Sequence, residues 1–400
     1  MPNLLKNFEE EVGISNYSIK KAKIRGKIKT KPEDFIVTEL DLEGIPVSQK
    51  NYFSVKQPKP GLFLHFILKK RLVDTPSAIN QLANNLSLSQ SDIGYAGLKD
   101  ALAITYQRVS VWGADVEKLK ALNFRNMKIL NPTPASYHIR LGDLSGNQFQ
   151  IRVSHLEETI RDETIHEIVS DLKKDGFPNY FGLQRFGSRR PVLHLMGKYL
   201  IKGNYKKAVY TYLSTISHAE QPSIRSVREE FLNTEDYSIF IRKLPRNYTI
   251  ERKIAEHLKK RAKDFQGAIL RLPSKMKLLF ISSYQSYLFN RTLSQIIDIE
   301  TNLDLPLLGF ETAISSYPQV VQDILNEIIE TEKISLKSFK NPIKEFSTKG
   351  GKRPAFVVPQ ELTWVRESKN SIILTFTLPK GTYATALLRE IMGKTSNSLI

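Results

Sequence analysis

The chain has 400 residues, no cysteine and a formal net charge of +18, with 59 basic residues against 41 acidic ones. Disulfides, thiolate metal sites and cysteine nucleophiles are excluded, and so is zinc-dependent base deamination, whose signature needs a Cys-x-x-Cys pair. A charge of this size and sign steers polyanions, which makes nucleic acid the expected partner.

Lys31-Pro32-Glu33-Asp34-Phe35 reads as a turn into a short strand, Ile36 to Glu39. Phe63 to Leu68 is a second strand, followed by a charged edge, Lys69-Lys70-Arg71. A helix is predicted from near Thr75 to about Leu86, with Pro76 at its first position. A glycine-containing turn, Ala96-Gly97-Leu98-Lys99-Asp100, leads into a strand from Tyr106 to Trp112. Gly146-Asn147 reads as a turn entering a strand in which Phe149, Ile151 and Val153 alternate with Gln148, Gln150 and Arg152. Glu157 to Lys174 is an amphipathic helix stopped by Gly176 and Pro178.

The pattern then turns helical, with helices predicted over Leu193–Ile201, Tyr205–Thr215, Ser223–Leu232, Ile250–Phe265 and Lys275–Ile297. Past Asp304 it returns to loops and short strands. A last strand carries Ile372, Leu374, Phe376 and Leu378, and a last helix runs from Tyr383 to Met392. Strand-rich sequence on both sides of a helical block suggests a helical domain inserted into a mixed one; two consecutive domains are the alternative. No run approaches the roughly 18 apolar residues of a membrane span, and the first thirteen residues show no signal-peptide core. The expectation is a soluble, cytoplasmic protein. Abundant Lys, Ile and Glu without cysteine suit a heat-adapted source.

Three segments carry candidate chemistry. Asp100 is a single carboxylate in a basic surrounding, suited to act as a nucleophile on a polyanion. Asn147 at a strand mouth offers both donor and acceptor to a nucleobase edge. Asn179-Tyr180-Phe181-Gly182-Leu183-Gln184-Arg185-Phe186-Gly187 places an arginine among aromatics, a composition suited to stacking bases and neutralising phosphate; a buried domain-linking turn is the other reading.

Taken in order, Pro32-Glu33-Asp34-Phe35, Ala96-Gly97-Leu98-Lys99-Asp100, Gly146-Asn147-x-Phe149, Asn179-Tyr180-Phe181-Gly182-x-Gln184-Arg185-Phe186-Gly187 and Leu378-Pro379-x-Gly381-x-Tyr383-Ala384-Thr385 resemble the signature stretches of the TruD family of pseudouridine synthases. The resemblance runs from about residue 25 to 392. Ser188-Arg189-Arg190-Pro191 is more similar to the archaeal and eukaryotic branch. The resemblance implies an α+β fold: a mixed, largely antiparallel sheet with flanking helices, interrupted by a mainly helical TRUD domain. On that basis residues 1–177 and 357–400 form the catalytic domain and residues 178–356 the insertion.

The resemblance also implies roles. The catalytic aspartate falls on Asp100. Lys29, six positions before Phe35, is the expected ionic partner that keeps it charged. Phe35 and Tyr383 fall on substrate-site aromatics, Asn147 on the substrate-site asparagine, and Arg185 lies in the specific signature. Lys99 is expected to contact phosphate, because successive residues of extended chain point to opposite faces. Two departures stand out: Tyr383 occupies a position where bacterial members carry Phe, and Tyr137–Leu141 replaces a Lys-rich stretch.

The implied reaction breaks the N-glycosidic bond of a uridine, turns the base and rejoins it through carbon. Uridine 13 of tRNA is the usual target, and other structured RNA is a further candidate. No cofactor and no metal are expected, nor a membrane partner, and a monomer is. Whether the carboxylate attacks base or sugar, or takes a proton, stays open at this stage. A catalytically silent RNA-binding protein and an unrelated basic nuclease are the rival readings.

Overall fold

The computed structural model describes residues 4–5, 7–21, 23–48, 61–299 and 302–393. The chain divides into two compact units, one of Ile19–Phe177 with Val358–Leu399, the other of Met1–Ser18 with Pro178–Val357.

The first unit is built on a sheet of eight strands among the described residues: β1 (Phe35–Leu40), β2 (Phe63–Arg71), β3 (Ile93–Tyr95), β4 (Ile104–Trp112), β5 (Met127–Ala135), β6 (Gly146–Ser154), β7 (Gln360–Ser368) and β8 (Ser371–Pro379). Their order is β7-β8-β6-β1-β4-β2-β5, with β3 pairing β4. Only β1 and β4 run parallel. The last strand lies inside this sheet: Phe376 stands opposite Phe149 and Leu378 opposite Asn147. Strand β8 thus completes a ladder that starts more than two hundred residues earlier.

One face of the sheet has two characters. Leu64, Phe66 and Leu68 of β2 and Val109 and Val111 of β4 are apolar and buried beneath the helix Thr75–Leu86, which contributes Ala78, Ile79, Leu82 and Ala83 at helical spacing. Asp74 caps that helix by accepting from the Ser77 backbone N–H at 2.8 Å. Pro76 is its second residue, one later than the sequence suggested. Side chains of the same parity further along are polar and buried: Lys70, Thr105, Gln107 and Glu39. There the Ala96–Asp100 loop covers the sheet, tied down at Lys99 and Gly97 by Thr75 and Gln107.

Several elements differ from the sequence reading. Strand β5 was missed because Pro132 and Pro134 discourage a strand; it is an edge strand, where missing donors are tolerated. Gly146 and Asn147 open β6 itself, and the turn precedes them. A Cβ on Gly146 would lie 2.2 Å from the Leu378 carbonyl oxygen, so only glycine lets β6 and β8 approach at that point. The helix predicted from Glu157 begins at Asp162, after a turn closed from the Ile160 N–H to the Glu157 carbonyl.

In the second unit the helix Leu193–Ile201 has the predicted bounds, and Tyr205–Ser214, Pro222–Thr234, Thr249–Lys260 and Ser274–Ile296 match the predicted positions with no end moved by more than five residues. Gln319–Glu332 is an additional helix in a stretch read as loops and strands. Residues 1–18, expected with the sheet, belong to this helical unit. The Asn290 amide donates to the Val12 carbonyl at 3.0 Å, and Ser294 Oγ bonds both the Gly13 carbonyl and the Ser15 N–H. No helix among the described residues is long and apolar enough to cross a membrane.

Candidate active site

Asp100 sits in the loop between β3 and β4, its side chain 28% exposed. Lys29 Nζ lies 3.2 Å from its Oδ2 and is itself almost fully covered. Asp100 Oδ1 has no hydrogen-bond partner among the described residues, so one oxygen is held and the other is free to act.

Lys29 occupies the left-handed region, at φ 55°, which costs a non-glycine residue about 1–2 kcal/mol. Both flanks enforce it. Before it, Lys27 exchanges backbone hydrogen bonds with Ser154 at 2.7 and 2.8 Å. After it, Asp34 accepts from the Lys31 N–H at 3.0 Å, from Arg152 Nη1 at 2.9 Å and from the Thr30 hydroxyl. Burial works to raise the pKa of Asp34, but the hydrogen bonds from Thr30 and Arg152 outweigh it and hold the carboxyl below its ordinary range. Strain of this kind persists only where surrounding structure over-determines it.

Phe35 is 1% exposed. Its ring meets Phe149 edge-on at 6.3 Å, and Lys29 Nζ stands 4.3 Å from the ring centroid. A ring so covered has no face open to a base. Phe35 instead supports the ammonium that holds Asp100.

Lys99 does not reach outward. Its side chain is 2% exposed, with Nζ 3.2 Å from Glu39 Oε2 and 2.8 Å from Asn147 Oδ1. The loop is not extended strand, so the alternation argument fails, and a buried carboxylate draws the cation inward. Burial pushes the Lys99 ammonium below the ordinary lysine range, against the pull of Glu39. Glu39, fully buried, also accepts from Arg108 Nε at 3.3 Å. Arg108 in turn bonds the Asp143 carbonyl.

Tyr383 caps the last helix, Ala384–Met392, as its N-terminal flanking residue. The turn before it passes through Gly381 at φ 83°. Lys380 bonds the Ser145 carbonyl through its backbone N–H at 2.9 Å and the Gly142 carbonyl through Nζ at 3.1 Å. The Gly142 N–H bonds the Ala96 carbonyl at 2.8 Å. The C-terminal turn, the 142–145 loop and the Asp100 loop are therefore linked in one chain of hydrogen bonds. Leu98 and Leu102 flank Asp100 and are 67% and 52% exposed.

The family model for tRNA pseudouridine synthase D (TruD) matches this chain over residues 11–309 and 299–391. The chain belongs to the TruD family. Archaeal relatives described as "Probable tRNA pseudouridine synthase D" include the Archaeoglobus fulgidus protein, 32% identical over 96% of this chain and 98% of its own length. Those of Thermococcus gammatolerans and Methanopyrus kandleri are 34% and 36% identical, covering 92% and 82% of this chain and 95% and 85% of their own lengths. A crystal structure of the Methanosarcina mazei protein assigned to tRNA pseudouridine synthase D superposes with a TM-score of 0.77 at 26% identity, covering 99% of each chain. The α+β fold with a largely antiparallel sheet is that of this TruD structure.

The family's most specific signature lies in the helical unit and is mostly buried. Asn179 is clamped by Arg353, whose Nη2 and Nε bond its side-chain and main-chain oxygens at 2.6 and 3.0 Å. The Asn290 side chain bonds both the N–H and the carbonyl of Phe181. Tyr180, Phe181 and Phe186 are core residues. Arg185 donates to Ser286 Oγ at 3.3 Å and lies over Phe181. The segment thus anchors its own unit, and its aromatics offer no stacking platform.

Sequence reading missed Lys70, taken for part of a charged edge. It is 1% exposed, and its Nζ donates to the carbonyls of Val73, Lys99 and Asp100 at 2.8, 3.3 and 3.0 Å. It thereby fixes the backbone under the carboxylate. A signal was available for both Lys70 and Glu39: each is a charge at the buried parity of an otherwise apolar strand.

Burial pushes Lys70 down to about 8, with Asp100 pulling the other way. Between pH 8 and the ordinary lysine value the unfolded chain then binds more protons than the folded one, so this group's contribution to stability rises with pH in that window. Below pH 8 its cost is fully present. Lys70→Met should lower stability by about 1–3 kcal/mol through the abandoned carbonyls. The wild-type advantage in denaturant unfolding should widen from pH 8 toward 10. An advantage that narrows over that range would contradict burial as the dominant influence on Lys70.

Proposed function

We propose that this protein isomerises a uridine of tRNA to pseudouridine, at position 13 as the family resemblance implies, with Asp100 as its catalytic carboxylate. The single observation that carries the assignment is the Lys29–Asp100 pair at 3.2 Å, which leaves the second oxygen of a partly exposed Asp100 without a hydrogen-bond partner among the described residues. Lys29 holds one oxygen of the carboxylate and so aims the other. Lys70, below the loop, holds its backbone.

The sheet unit carries the chemistry, and residues 178–356 are the inserted TRUD domain, which shares the binding of tRNA by a monomer. The target nucleotide leaves its stack to be reached, which costs a few kcal/mol. Tyr383 supplies a stacking face worth roughly 1–3 kcal/mol. Exposed Leu98 and Leu102, on either side of Asp100, are suited to fill the space the base vacates, as apolar wedges do elsewhere.

Incubating unmodified tRNA transcripts with the protein, then mapping pseudouridine by carbodiimide labelling and primer extension, tests the assignment. A single new stop at position 13 is the expected result. Full binding of tRNA with no pseudouridine at any position would overturn it in favour of a silent RNA-binding protein.

A further inference from the structure

Asn147 stands directly opposite Glu39 across the β1–β6 ladder, so the two side chains rise from the same face of the sheet. Lys99 Nζ lies within reach of both, 2.8 Å from Asn147 Oδ1 and 3.2 Å from Glu39 Oε2. An ammonium has donors only. The Asn147 atom facing it must be the oxygen, since a flipped amide would press NH2 against NH3+. Nδ2 then points away from Lys99 and has no hydrogen-bond partner among the described residues.

Both partners of the pair are themselves tied to neighbouring groups. Glu39 is fully buried and shared with Arg108. The Lys99 backbone N–H is tied to Thr75 Oγ1 at 3.0 Å, and that hydroxyl donates to Gln107 Oε1 at 3.0 Å.

We propose that the Glu39–Lys99 pair is a positioning device that locks the Asn147 amide as a hydrogen-bond donor toward O4 of the bound base, so that the site accepts uracil and rejects cytosine. The inference rests on the pseudouridine synthase reading for the identity of the base. Uracil presents an acceptor at position 4, whereas cytosine presents an amino donor there. A fixed donor pairs with the first and meets the second donor to donor. An amide free to flip would serve both bases.

Asn147→Asp tests the device without exposing a buried charge, because an aspartate still accepts from Lys99 but has nothing to donate. Its kcat on tRNA should fall at least a hundredfold, with KM within threefold and the unfolding midpoint unchanged. Lys99→Met should lose kcat similarly. The second readout needs no turnover: the side-chain amide resonance of Asn147 in the wild-type protein should shift on titration with UMP and not with CMP. In Lys99→Met the two nucleotides should become indistinguishable. Asn147→Asp retaining more than a tenth of wild-type kcat would overturn the proposal. So would an Asn147 resonance that answers UMP and CMP alike, or neither. A wild-type protein that discriminates UMP from CMP yet forms no pseudouridine in any tRNA would instead remove the functional reading and leave the donor assignment standing.

Discussion

Asp100→Asn should abolish pseudouridine formation while leaving tRNA affinity within a few-fold. Asparagine keeps the size of the side chain, and its carbonyl oxygen can still accept from Lys29, which now stands 3.2 Å from Oδ2. The loop backbone should hold as before, because its anchors at Lys70, Thr75 and Gln107 are untouched. What disappears is the negative charge and the free oxygen, the two properties every version of the reaction needs. A loss of at least a thousandfold corresponds to about 4 kcal/mol of transition-state stabilisation. Single-turnover assays with saturating enzyme isolate this step from binding. Product formation at a tenth of the wild-type rate or better would remove Asp100 from its assigned role.

Binding of tRNA should weaken steeply with salt. The chain carries a net charge of +18, and each phosphate neutralised by Lys or Arg releases counterions. A protein making about 6–10 such contacts loses roughly 10³–10⁵ in affinity between 50 and 200 mM salt. Filter binding of one transcript across that range measures the slope, and the same slope is expected for Asp100→Asn because the substitution removes no phosphate contact. A dissociation constant flat across that range would mean that the charge serves another purpose and that RNA is not the ligand.

The alternation of Phe149, Ile151 and Val153, and that of Ile372 to Leu378, marked two strands correctly because one face of each is apolar and the period of a strand is two. The same rule, applied strictly, would have marked Glu39 and Lys70 as buried charges. Both were passed over: Lys70 because two basic neighbours made it look like a solvated edge, Glu39 because an acidic residue in a short strand is unremarkable without its cation. The expected phosphate contact of Lys99 rests on strand alternation, which does not apply to a loop, and its ammonium turns instead to Glu39 and Asn147. The aromatic signature around Arg185 identified the family, yet its rings are core residues, and composition does not distinguish an aromatic that stacks on a base from one that packs on a helix.

By itself the sequence determined what local chemistry can encode: the strand and helix periods, the carboxylate in its glycine-containing turn, the absence of thiols, the basic excess, and the ordered motifs that place the chain in its family. Only the tertiary structure decided which charges face each other. Lys29 meets Asp100 from 71 residues away, and Lys99 meets Asn147 from 48 residues away. Glu39 lies opposite Asn147 because β1 and β6 pair in that register. Those meetings depend on strand register and loop closure, which are settled by burying the whole sheet and satisfying its polar groups together; no single segment contains that information.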